Sequence, residues 1–220
     1  LHTVRHSFPT RRSSDLRAGD HAGPSYAGIL SEHSAYVSAL EQAGLAVTVL
    51  PALPRFPDSI FVEDPALVFT EGAILLRPGA PSRSAEAEAL AADLHPCFAE
   101  VLRLPAGHVD GGDVLVTPGC VYIGLSDRTD RAGAEALIGL LARWDRKAAV
   151  ATTPPGTLHL KTASSLIDEE TVLMTPELAA ANPFPGLRVL TVPAGEEGGA
   201  NVLRLNDRVL IGACFPGTLD

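Results

Sequence analysis

Pro57-Asp58-Ser59-Ile60-Phe61-Val62-Glu63-Asp64 places three carboxylates in and beside a short apolar stretch that reads as a strand, where alternation by itself calls for neutral residues. Carboxylates so placed suit a cationic ligand. Two further clusters, Gly107-His108-Val109-Asp110-Gly111-Gly112-Asp113 and Leu158-His159-Leu160-Lys161, follow at similar intervals, each ahead of a β-rich run. The chain repeats itself.

The surrounding sequence supplies the repeat unit. Ser31 is a candidate cap for a helix to Ala43, stopped at Gly44 and followed by a strand over Leu45 to Leu50. From there a strand, a turn, a second strand, a helix and a third strand recur. Ser59 to Val62, Ala66 to Phe69 and Ala73 to Arg77 are strand candidates, with a helix over Ala85 to Leu94 and a strand over Val101 to Leu104. Val114 to Val116 and Val121 to Leu125 form a hairpin about Thr117-Pro118-Gly119, then a helix over Arg131 to Trp144 and a strand over Ala148 to Thr152. A third hairpin, Leu158 to Ile167 with Thr171 to Met174, precedes a short helix over Pro176 to Ala181. A fourth pairs Ala200 to Leu205 with Val209 to Cys214 about Asn206-Asp207. The period is roughly 40 to 50 residues, a length typical of propellers and stacked repeats, whose units cannot bury their own faces and must pack on one another.

Composition narrows the function classes. The chain has 220 residues, 46% of them hydrophobic, enough for one domain with a sizeable core. A net charge of −9 argues against a nucleic-acid surface. No apolar run reaches the roughly 18 to 20 residues of a membrane span, and the N-terminus lacks the apolar core of a signal peptide; a cytoplasmic protein is the expectation. Cys97, Cys120 and Cys214 are widely separated and read as reduced thiols. Residues 1 to 16 lack helix or strand period and resemble a translated sequencing adapter, so the native domain is taken as residues 17 to 220. The stop at Thr218-Leu219-Asp220, where a helix could begin, suggests a fragment.

Taken in order, Phe56-Pro-Asp-Ser-Ile-Phe-Val-Glu-Asp64, the Asp110-Gly-Gly-Asp113 hairpin, Ile123-Gly-Leu-Ser-Asp-Arg-Thr129, Leu158-His-Leu-Lys-Thr162 and Ala200-Asn201 with Phe215-Pro-Gly-Thr218 resemble the dimethylarginine dimethylaminohydrolase family. The resemblance covers about residues 24 to 218. It implies the five-bladed α/β propeller (pentein) of ββαβ units found in guanidino-group-modifying enzymes, incomplete here at both termini. It also implies hydrolysis of N-methylated arginine to citrulline and a methylamine through a cysteine-bound thiouronium, with no metal or organic cofactor. The partner so implied is a small methylated arginine, neither nucleic acid nor membrane, with a homodimer left open.

By the same resemblance Asp64 and Asp110 grip the guanidinium, His159 is the general acid and base, Asp58 and Glu63 line the site, and Arg83 and Arg128 contact the substrate carboxylate. Asp110 is carried as catalytic together with His159. The family's nucleophilic cysteine is expected beyond Asp220, and Cys214 does not match it, so a chain ending there is expected to be inactive. Neither Leu16 nor Leu30 carries a motif for the family's substrate-covering leucine. His108 reads as structural. Arginine deiminase is the enzymatic alternative, disfavoured because Glu63-Asp64 stands where that enzyme has an Arg-Asp pair and because the spacings leave no room for its helical insertion. A non-catalytic arginine-binding module is the alternative outside enzymes.

Overall fold

Runs of three or four apolar residues separated by Gly, Pro and Asn turns are too short for helices and make strands; the Ala- and Leu-rich stretches between them make the helices. The computed structural model describes residues 2–5 and 25–219 and divides the chain into two units, Leu1–Val62 and Glu63–Asp220.

In the N-terminal unit, β1 (His2–Arg5), α1 (Tyr26–Gln42) and β2 (Val47–Leu50) form a βαβ arrangement, with β1 parallel to β2 and His2 opposite Val47. β1 lies in the segment set aside as adapter-like; pairing through the backbone requires no side-chain alternation. The rest of that segment, Leu16 included, lies outside the described residues. Helix α1 starts earlier than expected from Ser31, because Ser25 Oγ accepts from the Gly28 N–H at 3.0 Å and caps it, leaving Ser31 inside the helix. The strand expected over Ser59 to Val62 is a series of turns instead. The Ser59 N–H donates to Phe56 O at 3.0 Å and the Phe61 N–H to Asp58 O at 3.0 Å, and Pro57 contributes no ladder donor.

The Glu63–Asp220 unit contains the repeat three times over. β3 (Ala66–Val68), β4 (Ala73–Leu75), α2 (Glu86–Leu94) and β5 (Val101–Arg103) form the first copy, its sheet ordered β3-β4-β5 with one antiparallel and one parallel pairing. β6 (Val114–Val116), β7 (Val121–Gly124), α3 (Arg131–Ala142) and β8 (Ala148–Ala151) form the second with the same pairings. β9 (Ser164–Leu166), β10 (Thr171–Met174), α4 (Pro176–Ala181) and β11 (Arg188–Thr191) form the third. The hairpin β12 (Leu203–Leu205) and β13 (Arg208–Leu210) opens a fourth and leads to the short α5 (Pro216–Leu219).

Alternation along the middle strands shows how the copies hold together. On β7, Val121 and Ile123 join a core cluster with Leu67, Ile74 and Leu137, whereas Tyr122 between them joins Leu160, Val172, Met174 and Phe184 on the other face. On β10, Val172 and Met174 face that second cluster and Leu173 faces Val192 and Ala200. A strand with two apolar faces is buried on both sides, so each copy shares a core with the next. Helix α3 is capped by Asp130, whose Oδ1 accepts from the Gly133 N–H at 2.7 Å and whose Oδ2 lies 3.0 Å from His108 Nδ1. His108 therefore supports a helix cap, in keeping with its structural reading.

Candidate active site

Asp64, Asp110 and His159 stand at the same place in successive copies, just ahead of β3, β6 and β9. In the second and third copies a one-turn 3₁₀ helix intervenes, Gly111–Asp113 and Leu160–Thr162. The glycines of Asp110-Gly-Gly-Asp113 permit the copies to meet. A Cβ on Gly111 would lie 2.0 Å from the Glu63 carbonyl oxygen, and one on Gly112 would lie 2.9 Å from His159 Cγ. With no Cβ in the way, the Gly111 N–H donates to Asp64 O at 2.9 Å.

Asp113 ties the second copy to the third. It is fully buried; its Oδ2 accepts from Ser126 Oγ at 2.6 Å and Thr129 Oγ1 at 2.7 Å and lies 3.2 Å from His159 Nδ1, while Oδ1 accepts from the Leu160 N–H at 3.0 Å. A carboxylate only accepts, so Nδ1 of His159 carries a proton. The backbone of His159 is fixed as well, its N–H donating to Thr162 Oγ1 and its C=O accepting from the same hydroxyl. Nε2 is left facing Asp110, with Oδ1 at 4.0 Å. Asp110 is held by its own N–H on Thr129 Oγ1 at 3.0 Å and by the Gly112 N–H on its Oδ1 at 2.9 Å.

This placement sets the protonation of the histidine. Burial by itself disfavours imidazolium, but the hydrogen bond and charge of Asp113, with the charges of Asp110 and Asp64, outweigh it and raise the pKa of His159 above its ordinary value. Asp64 is pushed up to about 7, by burial first and by the negative Asp110 next, against the opposing pull of Arg83. Asp64 thus exchanges a proton near neutrality, and His159 keeps its proton to higher pH than an ordinary imidazole.

The other expected residues divide. Arg83, in the 3₁₀ turn Pro81–Arg83, is buried; it donates from Nη1 to Asp64 Oδ2, and from Nε and Nη2 to Glu86 Oε2 and Oε1 at 2.8 and 2.6 Å. Glu63 is exposed and accepts from Lys161 Nζ at 2.8 Å. Arg128 lies in the loop between β7 and α3, half-buried, with its N–H on Ser126 Oγ at 3.0 Å and no ion-pair partner for its guanidinium among the described residues. Asp58 is buried in the turns of the N-terminal unit, and Leu30 is half-buried on α1. Among the described residues no group of three or more His, Cys, Asp or Glu is arranged to hold a metal ion.

None of the three free cysteines is hydrogen-bonded to this cluster. Cys97 follows the C-terminal end of α2, a helix of nine residues whose other end leads from Arg83. Cys120 is at the turn of the β6–β7 hairpin, whereas Asp113 is at its open end. Cys214 is exposed in the loop after β13. The sequence reading missed Asp113, Glu86 and Lys161. Glu86 had a local signal, its i,i+3 spacing from Arg83 at the head of a helix.

The family model described as arginine deiminase matches residues 50–194. The N(G),N(G)-dimethylarginine dimethylaminohydrolase of Pseudomonas aeruginosa is 35% identical over 214 residues, covering 96% of this chain and 84% of its own length. That of Streptomyces coelicolor is 35% identical over 195 residues, covering 87% and 73%. The solved structure of a cysteine-to-serine mutant of the Pseudomonas aeruginosa protein, complexed with citrulline, superposes with a TM-score of 0.91 at 33% identity over 99% of this chain and 86% of that one. With its ββαβ copies, its acidic and histidine positions repeated at the strand starts, and this identity along nearly its whole length, the chain belongs to the dimethylarginine dimethylaminohydrolase family.

Proposed function

We propose that the cluster of Asp64, Asp110 and His159 binds the guanidinium of an N-methylated arginine and hydrolyses it to citrulline and a methylamine. The supporting observation is the imidazole of His159, held at Nδ1 by Asp113 and directed by Nε2 toward Asp110. Asp64 and Asp110 accept N–H bonds from the guanidinium, Glu63 lines its approach, and Arg128 takes the α-carboxylate.

A cysteine thiolate forms a bond to the guanidinium carbon. As the C–N bond to the methylated nitrogen breaks, His159 gives that nitrogen its proton. A water molecule then loses a proton to His159 as its oxygen bonds to the same carbon, and loss of the thiolate leaves citrulline. A cation on Asp64 and Asp110 also neutralises two of the carboxylates that hold the proton on His159, so binding prepares the ring to release it. Acyl-like chemistry of this kind needs no metal.

The thiolate is not assigned to Cys97, Cys120 or Cys214, since none is bonded to the cluster. The 220-residue chain is expected to bind dimethylarginine saturably by calorimetry, to lose binding in Asp110→Ala, and to release no citrulline. No binding at millimolar ligand would sink the reading; citrulline above buffer background would place the thiolate among these three residues. The net charge of −9 supports a small cationic substrate over nucleic acid. No helix among the described residues is long and apolar enough to cross a membrane; the cytoplasm is the location proposed with this reading. Light scattering would decide the homodimer that the resemblance leaves open.

A further inference from the structure

Pro216 opens α5 and has no N–H, so the first donors that this helix leaves without an internal acceptor are those of Gly217 and Thr218. One carboxylate from the preceding loop takes both. Glu196 Oε1 accepts from the Gly217 N–H at 2.9 Å, and its Oε2 accepts from the Thr218 N–H at 2.8 Å and from Thr218 Oγ1 at 2.7 Å. The bond from the Thr218 hydroxyl first, and the Gly217 N–H next, hold the Glu196 carboxyl below its ordinary pKa, so the acceptor is ionised at neutral pH. The residues that follow Glu196 seat the same segment. A Cβ on Gly198 would lie 2.9 Å from Phe215 Cζ, and one on Gly199 would lie 2.8 Å from Thr218 Oγ1. Glycine at both positions lets the ring and the hydroxyl come this close.

The seat belongs to the copy that carries His159. Ala200, at the end of the 3₁₀ turn Glu197–Ala200, is fully buried and clusters with Leu173 of β10 and with Val192. The Val202 N–H donates to Ser165 Oγ of β9 at 3.0 Å. The turn itself packs against Leu160–Thr162, the turn that follows His159. We propose that Glu196 is a positioning residue for the hydrolysis: it fixes the chain leaving β13 onto the third copy, and so sets where the attacking thiolate stands relative to His159. The inference rests on the proposed function, in which Cys97, Cys120 and Cys214 do not supply the thiolate and the family resemblance expects it in the chain after α5. An acid–base ring and a thiolate that act on one carbon must be placed together, since a displacement of about 1 Å costs about a hundredfold in rate.

The docking is measured in the 220-residue chain and its consequence in the full chain that bears the thiolate. By hydrogen exchange, the Gly217 and Thr218 amides should be protected in the wild type and should exchange about tenfold faster in Glu196→Gln, whose side chain has one acceptor oxygen in place of two. The calorimetric Kd of dimethylarginine should stay within about twofold of the wild-type value. In the full chain, the single-turnover rate constant at saturating enzyme should fall about ten- to hundredfold in Glu196→Gln. That constant does not count unfolded molecules, so a merely structural role would leave it unchanged. Thr218→Val should show the same loss, and Thr218→Ser, which keeps the hydroxyl, should restore the wild-type rate. Glu197→Gln, whose carboxylate accepts from the Gly195 N–H in its own loop, should turn over as the wild type does. A wild-type rate constant in Glu196→Gln, a loss confined to Kd, an equal loss in Glu197→Gln, or unprotected Gly217 and Thr218 amides in the wild type would overturn the positioning role and leave the proposed function standing. A wild-type full chain that does not hydrolyse dimethylarginine would overturn both.

Discussion

Asp113→Ala is expected to lower the unfolding free energy of the Glu63–Asp220 unit by about 3–5 kcal/mol, the scale for removing one partner from a buried charged network. The carboxylate is fully buried and meets two hydroxyls, a backbone N–H and an imidazole, all of which lose their acceptor together. Urea denaturation at constant slope reads the loss as a shift in midpoint; a change below about 1 kcal/mol would show that the network adds little beyond what water gives its members. Asp113→Asn should cost less. Its amide keeps an acceptor but turns a donor toward the ring, forcing Nδ1 of His159 to accept and switching the tautomer.

The same pair fixes the sign of a pH dependence. The folded pKa of His159 lies above its ordinary value, so the stability it contributes is complete below the unfolded pKa and is lost as pH rises through the folded one. Asp64 acts in the same direction, because a carboxyl raised from 3.8 to about 7 means that the folded chain holds the extra proton across that interval. Stability from these two groups therefore falls from mildly acid toward alkaline pH.

His159→Ala should lower turnover of methylated arginine by about 10²- to 10⁴-fold in the active enzyme, the usual contribution of a positioned acid–base group. Substrate binding should change far less. His159 acts as the amine departs and as water attacks, both transition-state tasks, whereas the carboxylates hold ground and transition states alike. Steady-state kinetics separate the two effects: a loss confined to KM would make the ring a binding group, and unchanged turnover would remove it from the chemistry.

Much of this molecule could be read from its sequence because the repeat is written twice, once in hairpin spacing and once in chemistry. The β6–β7 hairpin about Thr117-Pro118-Gly119 and the helix Pro176–Ala181 lie where apolar runs and turn residues place them. The stretch from Ser59 to Val62 misleads because three apolar residues in a row look like a strand, while Pro57 and local i to i+3 bonds make turns. β11 carries the strand formers Val189, Leu190 and Thr191 but no apolar–polar alternation to mark a buried face, and all four of its residues are exposed. Asp113 was hidden for another reason. In sequence it is the second acid of a turn-like Asp-Gly-Gly-Asp, and its partner His159 stands 46 residues away. Arg83 could be seen as an arginine near the site, but only packing reveals that Glu86 and Asp64 already hold its donors.

The pKa of His159, followed by NMR through its ring protons in the 220-residue chain with and without saturating dimethylarginine, tests whether Asp64, Asp110 and His159 form one guanidinium site. In the free chain the value should lie above that of an ordinary histidine. With ligand bound it should fall, because a guanidinium on Asp64 and Asp110 cancels charges that hold the proton on the ring. Asp110→Ala should abolish the ligand effect. A histidine whose pKa is the same with and without saturating ligand would contradict the site.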